Sequence, residues 1–187
     1  MTTFTRTLFC AGFGGQGVMV LGQLVAYGAI EEGRHVTWLP SYGPEMRGGT
    51  ANCGVTISDG EISSPFVTRA DVVVVLNQPS LDKYEPTVKK GGILIYNEDM
   101  ASYHAARDDI RVIPVHAARI AESVGNERAL NVVLLGVLTA VSDFIADETA
   151  RNVIREKLGA KKPQFLESNL KAYEAGKELA KSLTAKQ

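Results

Sequence analysis

Arg6 to Ala11 is a short apolar stretch, a glycine cluster follows, and from Val18 onward apolar residues recur at helical spacing through Leu21, Leu24, Val25, Ala29 and Ile30. That order predicts strand, tight loop and helix. Gly33 sits where a left-handed helix stop belongs, and Arg34 to Leu39 is β-branched and strand-like until Pro40, which is expected to end it. The first forty residues therefore predict a βαβ unit. Thr50 to Ser58 alternates, and Asp59-Gly60 is a hairpin signal ahead of a second extended piece, Glu61 to Val67, so this part is expected to be antiparallel. Asp71 to Leu76 is continuously apolar, as in a strand covered on both faces. A helix over Ser80 to Lys90, stopped by Gly91-Gly92, leads to strands at Ile93 to Tyr96 and Ile110 to Val115 and a helix from His116 to Val124. Beyond this point strands cease: Glu127 to Phe144, Asp147 to Leu158 and Pro163 to Leu183 all read as helices. The last carries Phe165, Leu166, Leu170, Tyr173, Leu179 and Leu183 along one side, and this stripe is expected to pack on its own sheet rather than dock a partner. The pattern as a whole predicts one α/β domain over residues 1–187, a three-layer α/β/α arrangement with a mixed, mostly parallel sheet and a helical C-terminal third.

Composition narrows the function classes. A chain of 187 residues can bury a core without metal or disulfide staples. Its 20 Lys plus Arg stand against 21 Asp plus Glu, with no long run of like charge, which excludes nucleic acid as a principal partner. Cys10 and Cys53 are far apart in sequence and lack a CxxC spacing, so the chain by itself offers no four-cysteine zinc or iron–sulfur site, and reduced thiols fit a cytoplasmic protein. Gly14, Gly15, Gln16, Gly17 and Gln23 interrupt any N-terminal secretory pattern. The apolar stretch Val132 to Val141 is half the roughly 20 residues a bilayer span requires, so no membrane association is expected.

Gly12, Gly14 and Gly17 satisfy GxGxxG between the first strand and the first helix, where a dinucleotide-binding loop belongs. Such a loop lets an anion approach exposed N–H groups at a helix start, and it also serves simply to bring helix and sheet together. A nicotinamide or flavin site usually adds an Asp or Glu at the end of the second strand to hold the ribose. Here that strand ends Trp38-Leu39-Pro40-Ser41, and Glu45 comes several residues later. The loop that follows, Pro40 to Gly49, should emerge beside the glycine loop at the carboxyl edge of the sheet. There Arg47 would pair with phosphate or carboxylate, Glu45 would anchor Arg47 or a partner, and Ser41 and Tyr42 would offer hydroxyls.

Taken together, GFGGQGVMVLGQLVAYGAI (Gly12 to Ile30), SYGPEMRGGTANCGVTIS (Ser41 to Ser58) and DVVVVLNQPSLDKY (Asp71 to Tyr84) resemble the gamma subunit of 2-oxoacid:ferredoxin oxidoreductases. The resemblance spans nearly the whole first hundred residues. It implies a Rossmann-like accessory subunit of a complex that decarboxylates a 2-oxoacid on thiamine diphosphate with Mg, passes electrons through iron–sulfur clusters to ferredoxin, and hands the acyl group to coenzyme A. It implies alpha, beta and ferredoxin-like partner subunits. Glu45-Met46-Arg47-Gly48-Gly49 is more similar to 2-oxoglutarate and branched-chain members than to pyruvate members, and 2-oxoglutarate is the substrate favoured. Gly12, Gly14, Gly15, Gln16, Gly17, Ser41, Tyr42, Glu45 and Arg47 are the candidates for coenzyme A or interface contacts.

The residues agree with an incomplete catalyst. No cysteine set for a cluster and no thiamine diphosphate signature of the GDG kind occur, so the chain is expected to hold no catalytic residue, metal or cofactor alone. His35, His104 and His116 lack a second ligand at helical or hairpin spacing, and Ser41 has no nucleophile elbow around it. Cys10 and Cys53 read as packing residues. Asn77, Gln78, Asn97, Glu98 and Asp99 follow apolar strands and serve equally as edge ligands or as helix caps. Two other readings stay open: a free-standing nucleotide-binding α/β protein, and an assembly module whose glycine loop binds nothing. An apolar partner-facing surface would let the isolated chain pair with itself.

Overall fold

The computed structural model describes residues 4–42, 50–104 and 107–184. Its elements run β1 (Thr5–Phe13), α1 (Val18–Glu31), β2 (His35–Tyr42), β3 (Thr50–Ser58), β4 (Ala70–Val75), α2 (Gln78–Tyr84), β5 (Val88–Asn97), β6 (Arg111–Val115), α3 (Ala117–Ser123), α4 (Leu130–Val141), α5 (Asp147–Val153) and α6 (Leu166–Thr184). The six strands form one sheet in the order β2-β3-β1-β4-β5-β6. β1, β4, β5 and β6 pair in parallel, whereas β3 is antiparallel to both β1 and β2. The sheet is thus mixed and mostly parallel.

Placing β3 between β1 and β2 corrects two expectations. The βαβ unit forms with β1 and β2 running the same way, but they are separated by a strand that arrives later in the chain. The Asp59-Gly60 hairpin does not form, because both edges of β3 are already occupied by β1 and β2 and no free edge remains for a partner. Residues 61–69 instead leave the sheet, and Val67 packs over the face of Gly54, where an added Cβ would lie 3.0 Å from Val67 Cγ2. Pro40 does not end β2. It pairs opposite Cys53 and the strand continues to Tyr42, tolerated because β2 is an edge strand. Likewise β5 begins at Val88, before Gly91-Gly92, which form a register shift inside the strand rather than a stop before it. Helix α1 closes as expected at Gly33, with Gly33 N–H donating to Ile30 O and Arg34 N–H to Ala29 O.

The larger core lies between one sheet face and α1, α3, α4 and α6, around Leu8, Cys10, Leu21, Val55, Ile95, Leu134, Leu135 and Tyr173. The other face is covered more thinly, by Leu81 of α2 and by Ala101 and Tyr103, over Val73, Val75, Leu94 and Tyr96. The stripe on α6 packs within the chain, but its main neighbour is the helix α4 rather than the sheet on which it is expected to lie. Backbones approach so closely there that a Cβ on Gly136 would lie 2.1 Å from Tyr173 O and one on Gly176 2.1 Å from Val133 O. Asp147 at the start of α5 pins α6 in place, accepting from Tyr173 Oη at 2.7 Å, from Arg151 Nε at 3.2 Å and from Lys177 Nζ. Burial opposes its charge, but these three donors outweigh burial and hold the carboxyl down to about 2.

Candidate functional site

Three parallel strands end side by side at the carboxyl edge of the sheet, and the loops leaving them build the site. After β1 the chain turns at once, with Gln16 N–H donating to Phe13 O at 3.2 Å. Gln16 does not reach outward. Its Oε1 accepts from Phe13 N at 2.7 Å and from Asn77 Nδ2 at 3.2 Å, while its Nε2 faces Met100 Sδ at 3.2 Å. One side chain therefore ties the glycine loop to the ends of β4 and β5. Gly12 makes room for this clamp, since a Cβ there would lie 2.7 Å from Gln16 Oε1. Asn77, 1% exposed, also caps α2 by accepting from Ser80 N at 2.9 Å. Asn97 and Asp99 behave alike at α3: Asn97 Oδ1 accepts from Ala117 N, and Asp99 Oδ2 from Ala118 N and Arg119 N. His116 sits between Asp99 and Glu98, at 3.1 and 3.2 Å.

Gly15 and Gly17 both adopt positive φ, +93° and +80°. Gly17 is the residue from which α1 departs; it has no side chain to cap that start, and the first turn carries no acid. Among the described residues no side chain accepts from the first N–H groups of α1, and the positive end of the helix dipole lies behind them. Beneath Gly17 lies a residue the motif gives no hint of, Asn131 of α4, 6% exposed, whose Nδ2 donates to Gly17 O at 3.4 Å.

Tyr42 reaches the same edge from β2. It pairs with Ala51, which pairs in turn with Gly12, so Tyr42 stands level with the glycine loop two strands away. A cleft of about 330 Å³ lies between them, lined by Phe13, Gly14, Gly15, Gly17, Val18, Met19, Val20, Tyr42 and Ala51. Gly14, Gly15, Gly17 and Tyr42 are therefore brought together as expected, while Gly12 and Gln16 form the supporting clamp. Ser41, one residue from Tyr42 in a strand, faces the opposite side, in an apolar hollow with Phe9, Leu39 and the exposed Phe66. Glu45 and Arg47 lie outside the described residues.

The two cysteines, distant in sequence, are cross-strand neighbours in the core, Cys10 opposite Cys53. Cys53 Sγ donates to Val18 O at 3.7 Å, and hydrogen bonding to Cys53 together with complete burial pushes the Cys10 thiol well up. Both are fully buried, and Cys53 packs against Gly22, as the packing reading expects. Among the described residues no cluster of three or more His, Cys, Asp or Glu is placed to hold a metal ion, and no helix is long and apolar enough to cross a membrane.

On the far side of the glycine loop a second cleft opens, lined by Arg128, Lys157, Lys161 and Lys162. The sequence signal for it was weak: three of the four cations fall within six residues, KLGAKK, inside a chain of nearly balanced charge.

The family model described as pyruvate ferredoxin/flavodoxin oxidoreductase matches residues 7–179. Ketoisovalerate oxidoreductase subunit VorA of Methanothermobacter marburgensis is 43% identical over 172 residues, covering 91% of this chain and 36% of that protein. The chain thus spans about a third of the length of that relative. 2-Oxoglutarate synthase subunit KorC of Methanocaldococcus jannaschii is 33% identical over 177 residues, covering 92% of both. Among solved structures, the keto/oxoacid ferredoxin oxidoreductase gamma subunit from Geobacter sulfurreducens superposes with TM-score 0.82 at 30% identity, over 95% of this chain and 99% of that one. The 2-oxoglutarate:ferredoxin oxidoreductase from Magnetococcus marinus, with 2-oxoglutarate, coenzyme A and succinyl-CoA bound, shares the fold at TM-score 0.85 and 24% identity, over 95% of this chain and 31% of that one. With the glycine loop, the Gln16 clamp and the inserted antiparallel strand in place, the family match over nearly the full length is decisive: this chain belongs to the pyruvate ferredoxin/flavodoxin oxidoreductase family, as a gamma-type subunit.

Proposed function

We propose that the chain serves in a multi-subunit complex that oxidatively decarboxylates a 2-oxoacid other than pyruvate, transfers the acyl group to coenzyme A and passes the electrons to ferredoxin. The observation that carries this reading is the family match across residues 7–179, joined to a carboxyl-edge site of loop glycines and a tyrosine. The iron–sulfur clusters would be held by partner subunits, since the only two cysteines are consumed in the core of β1 and β3; thiamine diphosphate and Mg would be held there too, since the sequence carries no GDG-type signature for them. The cleft between the glycine loop and Tyr42 would meet coenzyme A or a partner subunit, with Arg47 and Glu45 supplied by the segment after Tyr42.

The sequence reading favours 2-oxoglutarate, which the KorC relative supports by matching over 92% of its length. The higher identity to VorA makes 2-oxoisovalerate the first substrate to test. The chain would be co-expressed with the thiamine diphosphate-binding and ferredoxin-like subunits of its source organism, and the assembly assayed for coenzyme A-dependent viologen reduction with each 2-oxoacid. Reduction with 2-oxoisovalerate or 2-oxoglutarate that is lost without this chain is the expected result. A chain that joins no assembly, or an assembly equally active without it, would overturn the reading.

A further inference from the structure

The clamp that holds the glycine loop ends on a thioether. Met100 follows β5, is 48% exposed, and its Sδ accepts from Gln16 Nε2 at 3.2 Å. Neither partner is free to follow the other. On the Met100 side, Met100 N–H donates to Asn97 O at 3.1 Å and Ser102 N–H to Gln78 Oε1 at 2.8 Å, while Ala101 between them is buried in the smaller core. The backbone that carries the sulfur is thus held on both flanks. On the Gln16 side, Oε1 already accepts from Phe13 N and Asn77 Nδ2, and it lies 2.7 Å from where a Cβ on Gly12 would stand. The contact between Nε2 and sulfur therefore depends on the chemical state of the sulfur, because neither side can shift to restore it.

A thioether sulfur is a weak acceptor with two lone pairs, and it is also an oxidisable centre. Gln16 engages one lone pair, and the exposure of Met100 leaves the sulfur open to a small oxidant. With a hydroperoxide the step balances without a further reagent. A sulfur lone pair attacks one peroxide oxygen, the S–O bond forms as the O–O bond breaks, and the proton passes from the transferred oxygen to the departing one, which leaves as water when the oxidant is hydrogen peroxide. Sulfur gives up two electrons and the peroxide takes them. The product sulfur is electron-poor and no longer accepts from an N–H group. Its new oxygen accepts well but cannot stand between sulfur and Nε2, since an N–H···O contact by itself takes about 2.7–3.2 Å, the whole of the present separation. Oxidation therefore breaks the tie between Gln16 and the segment after β5. Met19 of α1, half-buried against the larger core, supplies a comparison thioether in the same chain.

We propose that Met100 is an oxidation site at which a hydroperoxide converts the thioether to a sulfoxide and so loosens the glycine loop, by releasing Gln16 from the segment after β5. This rests on the geometry of the chain alone and is independent of its substrate and of the complex in which it serves. The full chain is treated with millimolar hydrogen peroxide, the oxidised methionines are located by peptide mass spectrometry, and hydrogen exchange is followed by NMR at the amides of Phe13 and Gln16, which bond to Gln16 Oε1 and Phe13 O. Met100 is expected to take up oxygen roughly tenfold faster than Met19, because susceptibility follows exposure. In the oxidised chain the two amides should exchange about three- to tenfold faster, the change that loss of one hydrogen bond of ordinary net strength produces. Methionine sulfoxide reductases acting on both epimers should restore the slow exchange. Met100→Leu keeps the volume and removes the sulfur, so it should show the faster exchange before treatment and no further change with peroxide. Its circular dichroism should match the parent, since the side chain is half exposed. Oxidation of Met100 no faster than Met19, oxidation of Met100 that leaves the exchange of both amides unchanged, or a Met100→Leu chain whose loop still responds to peroxide overturns the proposal.

Discussion

Replacing Gly17 by alanine tests whether the glycine loop is shaped by its backbone or by what lies beneath it. At φ +80° an alanine would carry left-handed strain of about 1–2 kcal/mol. Its Cβ would also stand 2.7 Å from both Cγ and Nδ2 of Asn131, so that buried amide must move and give up its bond to Gly17 O, at a further cost of about 1–3 kcal/mol. The sum, about 2–5 kcal/mol, is a large share of the roughly 5–15 kcal/mol that holds a domain folded. Gly15 is the internal control. It has φ +93° but nothing within 4 Å of its Cβ position, so Gly15→Ala should lose only the strain. Urea unfolding of the full chain, followed by circular dichroism and extrapolated linearly, measures both. Asn131→Ala removes the two atoms at 2.7 Å, and combined with Gly17→Ala it should recover about 1 kcal/mol relative to additivity. Equal losses for Gly17→Ala and Gly15→Ala, within about 0.5 kcal/mol, would refute the role given to Asn131.

Three further outcomes follow from the same geometry. Gln16→Leu strips the acceptor from Phe13 N–H and Asn77 Nδ2 and should cost about 1–3 kcal/mol in urea unfolding, whereas Gln16→Glu, which keeps that acceptor, should lose clearly less. The Asp147 carboxyl, near 3.8 when unfolded and about 2 when folded, stabilises the fold above about pH 4 and loses that contribution as pH falls toward 2. Because its side chain is 45% exposed, the full linkage value of about 2.4 kcal/mol is discounted to about 1 kcal/mol, and the stability gap to Asp147→Asn should halve by about pH 3; a gap unchanged there would contradict the assignment. Cys10 and Cys53, both 0% exposed, should resist an aromatic disulfide reagent in the native chain and react together in urea; fast native labelling of either would show that β1 and β3 open locally.

Much of this molecule was legible in the order of its residues because the signals concerned are local. The period of the apolar positions marked β1, α1, β4, β6 and the three C-terminal helices, and Gly12, Gly14 and Gly17 marked the loop between β1 and α1. Local rules failed where a neighbour distant in sequence decided the outcome. Pro40 looked like a strand end, but an edge position excuses its missing N–H. Asp59-Gly60 looked like a hairpin, but β3 had no free edge to offer. Ser41 and Tyr42, adjacent in sequence, were separated by the strand's alternation, which sends one to each face of the sheet. Gln16 stood in the motif as a contact for ligand or partner, and only the convergence of three strand ends shows it to be the clamp that holds the loop. The cationic cleft is the clearest case. Net charge and charge runs are properties of the chain, whereas a local field depends on which segments the fold brings to one wall, and Arg128 meets Lys161 and Lys162 only because α4 and the π-helical turn Ile154–Gly159 close over the start of α1.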